Sequence, residues 1–165
     1  MLYIDYEYYK SMYGEKAMQE ADFNRLLFDV SRKVDIETTG IDGVKKLQVA
    51  FPEDEYSAET VKRCICKLLE IASNIEKAEE AVRNTQGYIT REDGTVTNKV
   101  VSSVSAGNES ISFASGSTGA TLIDKVLADK NAQEQLYNDT IREYLSGVED
   151  ANGINLLYMG RYPCY

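Results

Sequence analysis

Between Ser57 and Ile75 the chain reads SAETVKRCICKLLEIASNI, and its apolar residues recur at a spacing that an α-helix gathers onto one side. Val61, Ile65, Leu68, Ala72 and Ile75 are separated by steps of four, three, four and three. Cys64, Leu69 and Ile71 flank that stripe and make it wider than a surface helix needs. A helix with so broad an apolar side must be covered by several neighbours, so this segment is expected to be the central, most buried helix. Ser57 is the expected N-cap, with Glu59 in the first turn where the helix dipole favours an anion. The far end is expected to fray over KAEEAVRNTQG, residues 77–87.

Other segments supply the neighbours. From Glu20, the residues Phe23, Leu27, Val30 and Val34 form a second stripe, while Asn24, Arg25, Arg32 and Lys33 fall off it. This helix should end before Gly40, because TTGIDG combines β-branched residues with two glycines. A short helix is expected within Tyr6–Tyr13, stopping at Gly14. A last strong helix is expected over 131–146, with Leu136, Tyr137, Ile141, Tyr144 and Leu145 inward and Gly147 just beyond. A further short helix is expected in TLIDKVLADK, residues 121–130, after a flexible hinge ASGSTGA, residues 114–120. The predicted core unites Leu27, Val30, Ile65, Leu68, Leu136 and Ile141.

Two stretches do not follow the helical period. Residues 88–113 have strand character, and VSSVSAGNESISF alternates apolar with small polar residues around Gly107 and Asn108. With those two as the loop, Val104 faces Ile111 and Ser102 faces Phe113 on an apolar side. Ser105 then faces Ser110, and Ser103 faces Ser112, on a hydroxyl-lined side. A lone hairpin is marginal in water and needs something to pack on. The second stretch is the tail VEDANGINLLYMGRYPCY, residues 148–165, whose run Leu156, Leu157, Tyr158 and Met159 lies beyond the glycine stop. Helix packing does not bury such a run automatically, and Arg161 beside it offers a cation to a partner carboxylate. From the residues alone, the tail either folds back onto its own helices or docks on another chain.

The 165 residues carry a formal net charge of -9, with 27 acidic against 18 basic side chains. Such a field does not favour gripping nucleic acid phosphates. There is no histidine, so the commonest general base and metal ligand is missing. Cys64 and Cys66 stand two apart on a helix and point to different sides, one as a small core residue and the other half-exposed. With Cys164 they are expected to be reduced thiols of an intracellular protein. GSTG lacks the lysine and strand of a phosphate loop, and Glu53-Asp54-Glu55 and Glu79-Glu80 have no nucleophile or electrophile beside them. No catalytic, cofactor or metal residues are expected, so the chain is not read as an enzyme. The tyrosine-rich, acidic start resembles no signal peptide, and no apolar run reaches membrane-spanning length.

The order of these motifs resembles a known family. YIDYEYYKSMYG followed by EADFNRLLFDVSRKVDIETTG is similar to the opening of head-tail connector (adaptor, head completion) proteins from tailed phages and prophages of Gram-positive bacteria. AETVKRCICKLLEI resembles their second helix, SVSAGNESISFAS their serine-rich segment, and IREYLSG with INLLYMG their closing motif. The stretch 116–130 is longer than the family's serine spacer, VEDANGIN widens the gap after the last helix, and RYPCY extends the end.

The resemblance implies a mainly α fold in a single domain, 1–165. It would be a small bundle of three main helices plus short ones, with a projecting β-hairpin at about 88–115 and an extended C-terminal tail. It implies a structural neck protein of the virion, assembled in the host cytoplasm. The homo-oligomeric ring would be a dodecamer matching the portal, extending the channel for double-stranded DNA without sequence-specific binding and without membrane. Its partners would be the portal protein and a stopper or tail-completion protein. Leu156, Leu157, Tyr158, Met159 and Arg161 would dock on the portal or a neighbouring subunit, so the tail is expected to be poorly packed in an isolated subunit and to order on docking. Val104, Gly107, Asn108, Ile111 and Phe113 would form an oligomer or channel contact. The alternative from another class is a monomeric helical adaptor or peptide-binding regulatory protein using the tyrosine-rich face.

Overall fold

The broad apolar side of the Ser57–Ile75 segment is buried as its width demands. In the computed structural model, which describes residues 3–85, 87–90, 96–105, 110–114 and 129–163, this segment belongs to a 31-residue helix. The element order is α1 (Tyr6–Tyr13), a 3-10 turn (Gly14–Lys16), α2 (Glu20–Glu37), α3 (Lys46–Val49), α4 (Glu55–Thr85), β1 (Gly87–Thr90), β2 (Val96–Ser105), β3 (Ser110–Ala114) and α5 (Lys130–Leu145). The described chain is mainly helical. Where the sequence suggests one domain with an insertion at about 88–115, the chain divides into two compact units. One comprises 1–74 with 131–165, the other 75–130.

In the first unit, Val61, Cys64, Ile65, Leu68 and Leu69 of α4 are all fully buried. From α2, Phe23, Leu26, Leu27, Val30 and Val34 join this core, as do Ile141 and Leu145 from α5. Leu136 is a correction: it is 37% exposed, whereas Tyr137, Ile141 and Leu145, also expected inward, are buried. The Tyr137 ring lies 4.5 Å beneath the Lys33 ammonium, so α2 meets α5 through a cation–π contact. Cys66, expected half-exposed, is also buried, because the covered side of α4 is broad enough to include both thiols. Burial pushes both up to about 12, so they remain protonated, poorly reactive thiols near neutral pH.

Local chemistry sets the helix ends. Asp5 caps α1 by accepting the Tyr8 N–H at 2.8 Å, and Gly14 ends it at φ +58. For α4 the cap is Asp54 rather than Ser57: its carboxylate accepts the Ser57 N–H at 2.9 Å, so the helix starts at Glu55. An ionised acceptor at a helix start is favoured by the dipole, and Asp54 takes the place sooner along the chain. Thr38 closes α2 by donating its hydroxyl to the Val34 carbonyl at 2.9 Å.

The tyrosine-rich start serves the same core. Tyr3 and Tyr9 are buried, Tyr3 stacks on Phe51 at 5.7 Å, and Tyr9 meets Phe23 at 5.3 Å. Their hydroxyls donate to Asp35 on α2 and to Glu70 on α4, respectively. Burial, then the adjoining carboxylates, drives both phenols well above their ordinary range. Gln48 of α3 donates to the second Asp35 oxygen at 2.6 Å, so the buried carboxylate is satisfied on both sides.

In the second unit the main chain forms a three-stranded antiparallel sheet in the order β1-β2-β3. β2 and β3 pair with Val104 opposite Ile111, Ser105 opposite Ser110 and Ser103 opposite Ser112. Phe113 stands opposite Val101 rather than Ser102, because the register shifts between Val101 and Ser103. Such an irregularity places two residues of one strand against one of the other and breaks the simple alternation between faces. Gly107 and Asn108 lie outside the described residues, as do most of the hinge 114–120 and the helix expected over 121–130.

Truncating the centre of the core tests this packing. Leu68→Ala is expected to lower unfolding free energy by about 2–5 kcal/mol, the usual range for a buried leucine that leaves a cavity. A shifted urea midpoint with unchanged slope is the expected readout.

Candidate interaction site at the C-terminal segment

Beyond α5 the chain turns back instead of trailing away. Gly147 at φ +79 ends the helix, and the buried Val148 returns its N–H to Leu145 O at 3.1 Å. Asp150 then organises a tight turn. Its Oδ1 accepts the N–H groups of Asn152 and Ile154, both at 2.9 Å, and its own N–H donates to Ile154 O at 2.9 Å. Gly153 occupies the left-handed position at φ +72 that this turn requires. The turn brings Leu156 back to Val148, whose carbonyl accepts the Leu156 N–H at 2.9 Å.

Leu156 is fully buried. This corrects the expectation of an unpacked tail: a single leucine anchors the segment in the subunit's own core. Its neighbours differ, with Leu157 half-buried, Tyr158 and Met159 exposed by 52% and 62%, and Arg161 exposed. The expected docking residues are therefore one anchor, one intermediate side chain and three outward groups.

The segment is tied down chiefly by Lys46. This lysine is fully buried, and its ammonium donates to Leu156 O at 2.8 Å and also to Tyr158 O. Burial lowers the Lys46 pKa from its ordinary value, while the Asp150 and Asp42 charges oppose the change. The loop after α2 contributes two more ties. Ile41 donates its N–H to Met159 O at 3.2 Å, and Asp42 Oδ2 accepts the Tyr162 N–H at 2.6 Å. Gly40 allows this approach: a Cβ there would lie 2.6 Å from the Gly160 carbonyl oxygen. Tyr162 closes the loop, donating its hydroxyl to Asp150 at 2.5 Å and accepting from Asn152 at 2.7 Å.

Chemically, this arrangement holds and displays. Ile41, 80% exposed, lies beside Met159 through their main-chain bond, and with Tyr158 these form outward apolar groups on a restrained backbone. Among the described residues no group of three or more metal-ligating side chains occurs, and no helix is long and apolar enough to cross a membrane. Comparison with protein families, curated proteins and solved structures returns no match.

Sequence reasoning found Tyr158, Met159 and Arg161 but missed Lys46, Asp42 and Asp150. The Asp-Gly of IDG and the Asp-x-x-Gly of DANG are turn signals that pointed to both carboxylates. Nothing in the sequence marks Lys46, because its partners are main-chain carbonyls more than a hundred residues away. Of the expected strand-pair contacts, Val104 and Ile111 are main-chain partners and Phe113 pairs with Val101.

Lys46→Met keeps much of the side chain's volume but leaves two carbonyls without their donor. It is expected to cost about 1–3 kcal/mol, the range for buried groups left unsatisfied. Hydrogen exchange at Leu156 and Ile41 should rise more than at Leu68.

The Asp42 tie predicts a pH response. The Tyr162 N–H, the largest contribution, and the Val44 N–H hold this exposed carboxyl below its ordinary value of 3.8. The tie is complete above that ordinary value and is lost as pH falls through the lower folded value. Amide protection of Tyr162 should therefore decay on acidification below about pH 4. The same decay should be absent in Asp42→Asn, measured by NMR.

Proposed function

We propose that this chain is a structural head-tail connector of a tailed phage or prophage, forming a homo-oligomeric ring between the portal and the next neck component. The observation that carries this proposal is the display of Tyr158, Met159 and Ile41 from a backbone tied by Lys46 and Asp42. Holding apolar side chains in water on a rigid segment is unfavourable for an isolated chain and favourable for one that meets a partner. The motif order along the chain supports the same proposal, as does a mainly helical body with Tyr3 and Tyr9 of its N-terminal lead committed to the core.

In this role the C-terminal residues dock on the portal or on a neighbouring subunit. The β2–β3 pair contributes an oligomer or channel contact. An excess of acidic side chains suits a channel through which double-stranded DNA must slide, because phosphate contacts that release counterions would retain it. The protein acts by assembly rather than catalysis, in the virion neck.

The test is assembly on a portal protein encoded in the same genome. Electron microscopy of the mixture should show an added ring at the portal's tail-facing end, and Met159→Asp should reduce its occupancy at least about tenfold. A chain that binds no portal but captures a peptide as a monomer would instead establish the adaptor alternative.

A further inference from the structure

The first unit carries a second feature that none of the preceding roles uses. A groove of about 840 Å³ runs between the start of α4 and the last turn of α5. Asp54, Glu55, Tyr56 and Glu59 line it from the α4 side, Glu143 and Tyr144 from the α5 side. The lining holds these four carboxylates against the single guanidinium of Arg63, which Glu59 already engages at 2.9 Å. Tyr56, 79% exposed, stands at this groove with no core role.

We propose that the groove receives the C-terminal prong of a second copy of this chain, with Arg161 against the acidic lining and Tyr158 and Met159 against Tyr56 and Tyr144. This rests on the ring proposed above and names the contact that would build it. Complementarity chooses the occupant. The prong places an exposed guanidinium two residues from an exposed methionine and three from an exposed tyrosine, and the groove pairs carboxylates with exposed aromatic surface. Arg161 and Glu143 each form no ion pair among the described residues, so neither must leave one to meet the other. Arginine and tyrosine are the side chains that most often carry interface energy, and a guanidinium can meet a carboxylate through two parallel hydrogen bonds. The ties from Lys46 and Asp42 restrain the prong before contact, which reduces the entropy lost on docking. Prong and groove are different surfaces of one subunit, so the contact is heterologous, the kind that closes into a ring when the rotation between subunits permits.

The experiment uses the full chain, alone and on the portal, with sedimentation and a photo-cross-linking residue at Met159. Arg161→Glu and Glu143→Arg are each expected to weaken self-association at least about tenfold. The double variant should recover most of it, and high salt should weaken the wild type. The cross-link should map to the peptide containing Tyr56 or Tyr144 of another copy. Oligomers that form undiminished in both single variants, or whose cross-links lie elsewhere, would overturn this contact and leave the ring standing. A chain that stays monomeric both alone and on the portal would remove the ring and this contact with it.

Discussion

The buried ammonium of Lys46 ties the C-terminal segment to the loop and short helix between α2 and α4. Lys46 sits on a four-residue helix between α2 and α4, and its Nζ donates to the carbonyls of Leu156 and Tyr158. A lysine enters a protein interior only when its charge is compensated, and here main-chain oxygens accept its hydrogen bonds while the Asp150 and Asp42 charges offset its burial. Much else depends on it. The Asp150 turn returns Leu156 to the core, Gly40 lets the α2–α3 loop approach Gly160, and Asp42 takes the Tyr162 N–H. Without the ammonium, those carbonyls would lose their side-chain donor, and the segment would be held by Leu156 and by the ties from Ile41, Asp42 and Asp150.

The core that receives this segment is built in a more ordinary way. The broad apolar side of α4 is covered, and the tyrosines of the N-terminal lead add both area and polarity. Tyr3 and Tyr9 bury their rings while passing their hydroxyl protons toward Asp35 and Glu70, so two carboxylates are brought inward with partners. Small proteins bury a limited fraction of their surface, and aromatic rings with a polar tip let the chain use more of it. The tyrosine-rich lead is therefore structural at Tyr3 and Tyr9 rather than a free recognition face.

Among the outward groups of the described residues, the tail and the α4–α5 groove carry complementary chemistry. One presents aromatic, thioether and guanidinium groups, the other carboxylates and tyrosines. A restrained display of this kind would suit the proposed assembly, because the energetic penalty of ordering the segment has already been met on folding. The excess of negative charge over the whole chain leaves transit of DNA unhindered in the proposed channel role.

The sequence by itself determined where the longer helices lie and most of their inward sides, but neither the short α3 nor the run of α4 to Thr85. Val61, Ile65, Leu68, Phe23, Leu27 and Val34 could be read as buried because a period of 3.6 residues is a local property that needs no partner to be recognised. The tyrosine-rich start of α1, its glycine stop and the Val104–Ile111 pairing were legible for the same reason: caps and tight turns are written in adjacent residues. Tertiary structure alone decided that Leu156 is core and Tyr158 is surface, although both belong to one apolar run. It also decided that Leu136 is left exposed while Tyr137, Ile141 and Leu145 of the same helix are buried. The choice of Lys46 as a buried tie rests on carbonyls 110 and 112 residues further along the chain. No local pattern encodes which main-chain oxygens will arrive beside a lysine, because their position follows from how the whole unit closes.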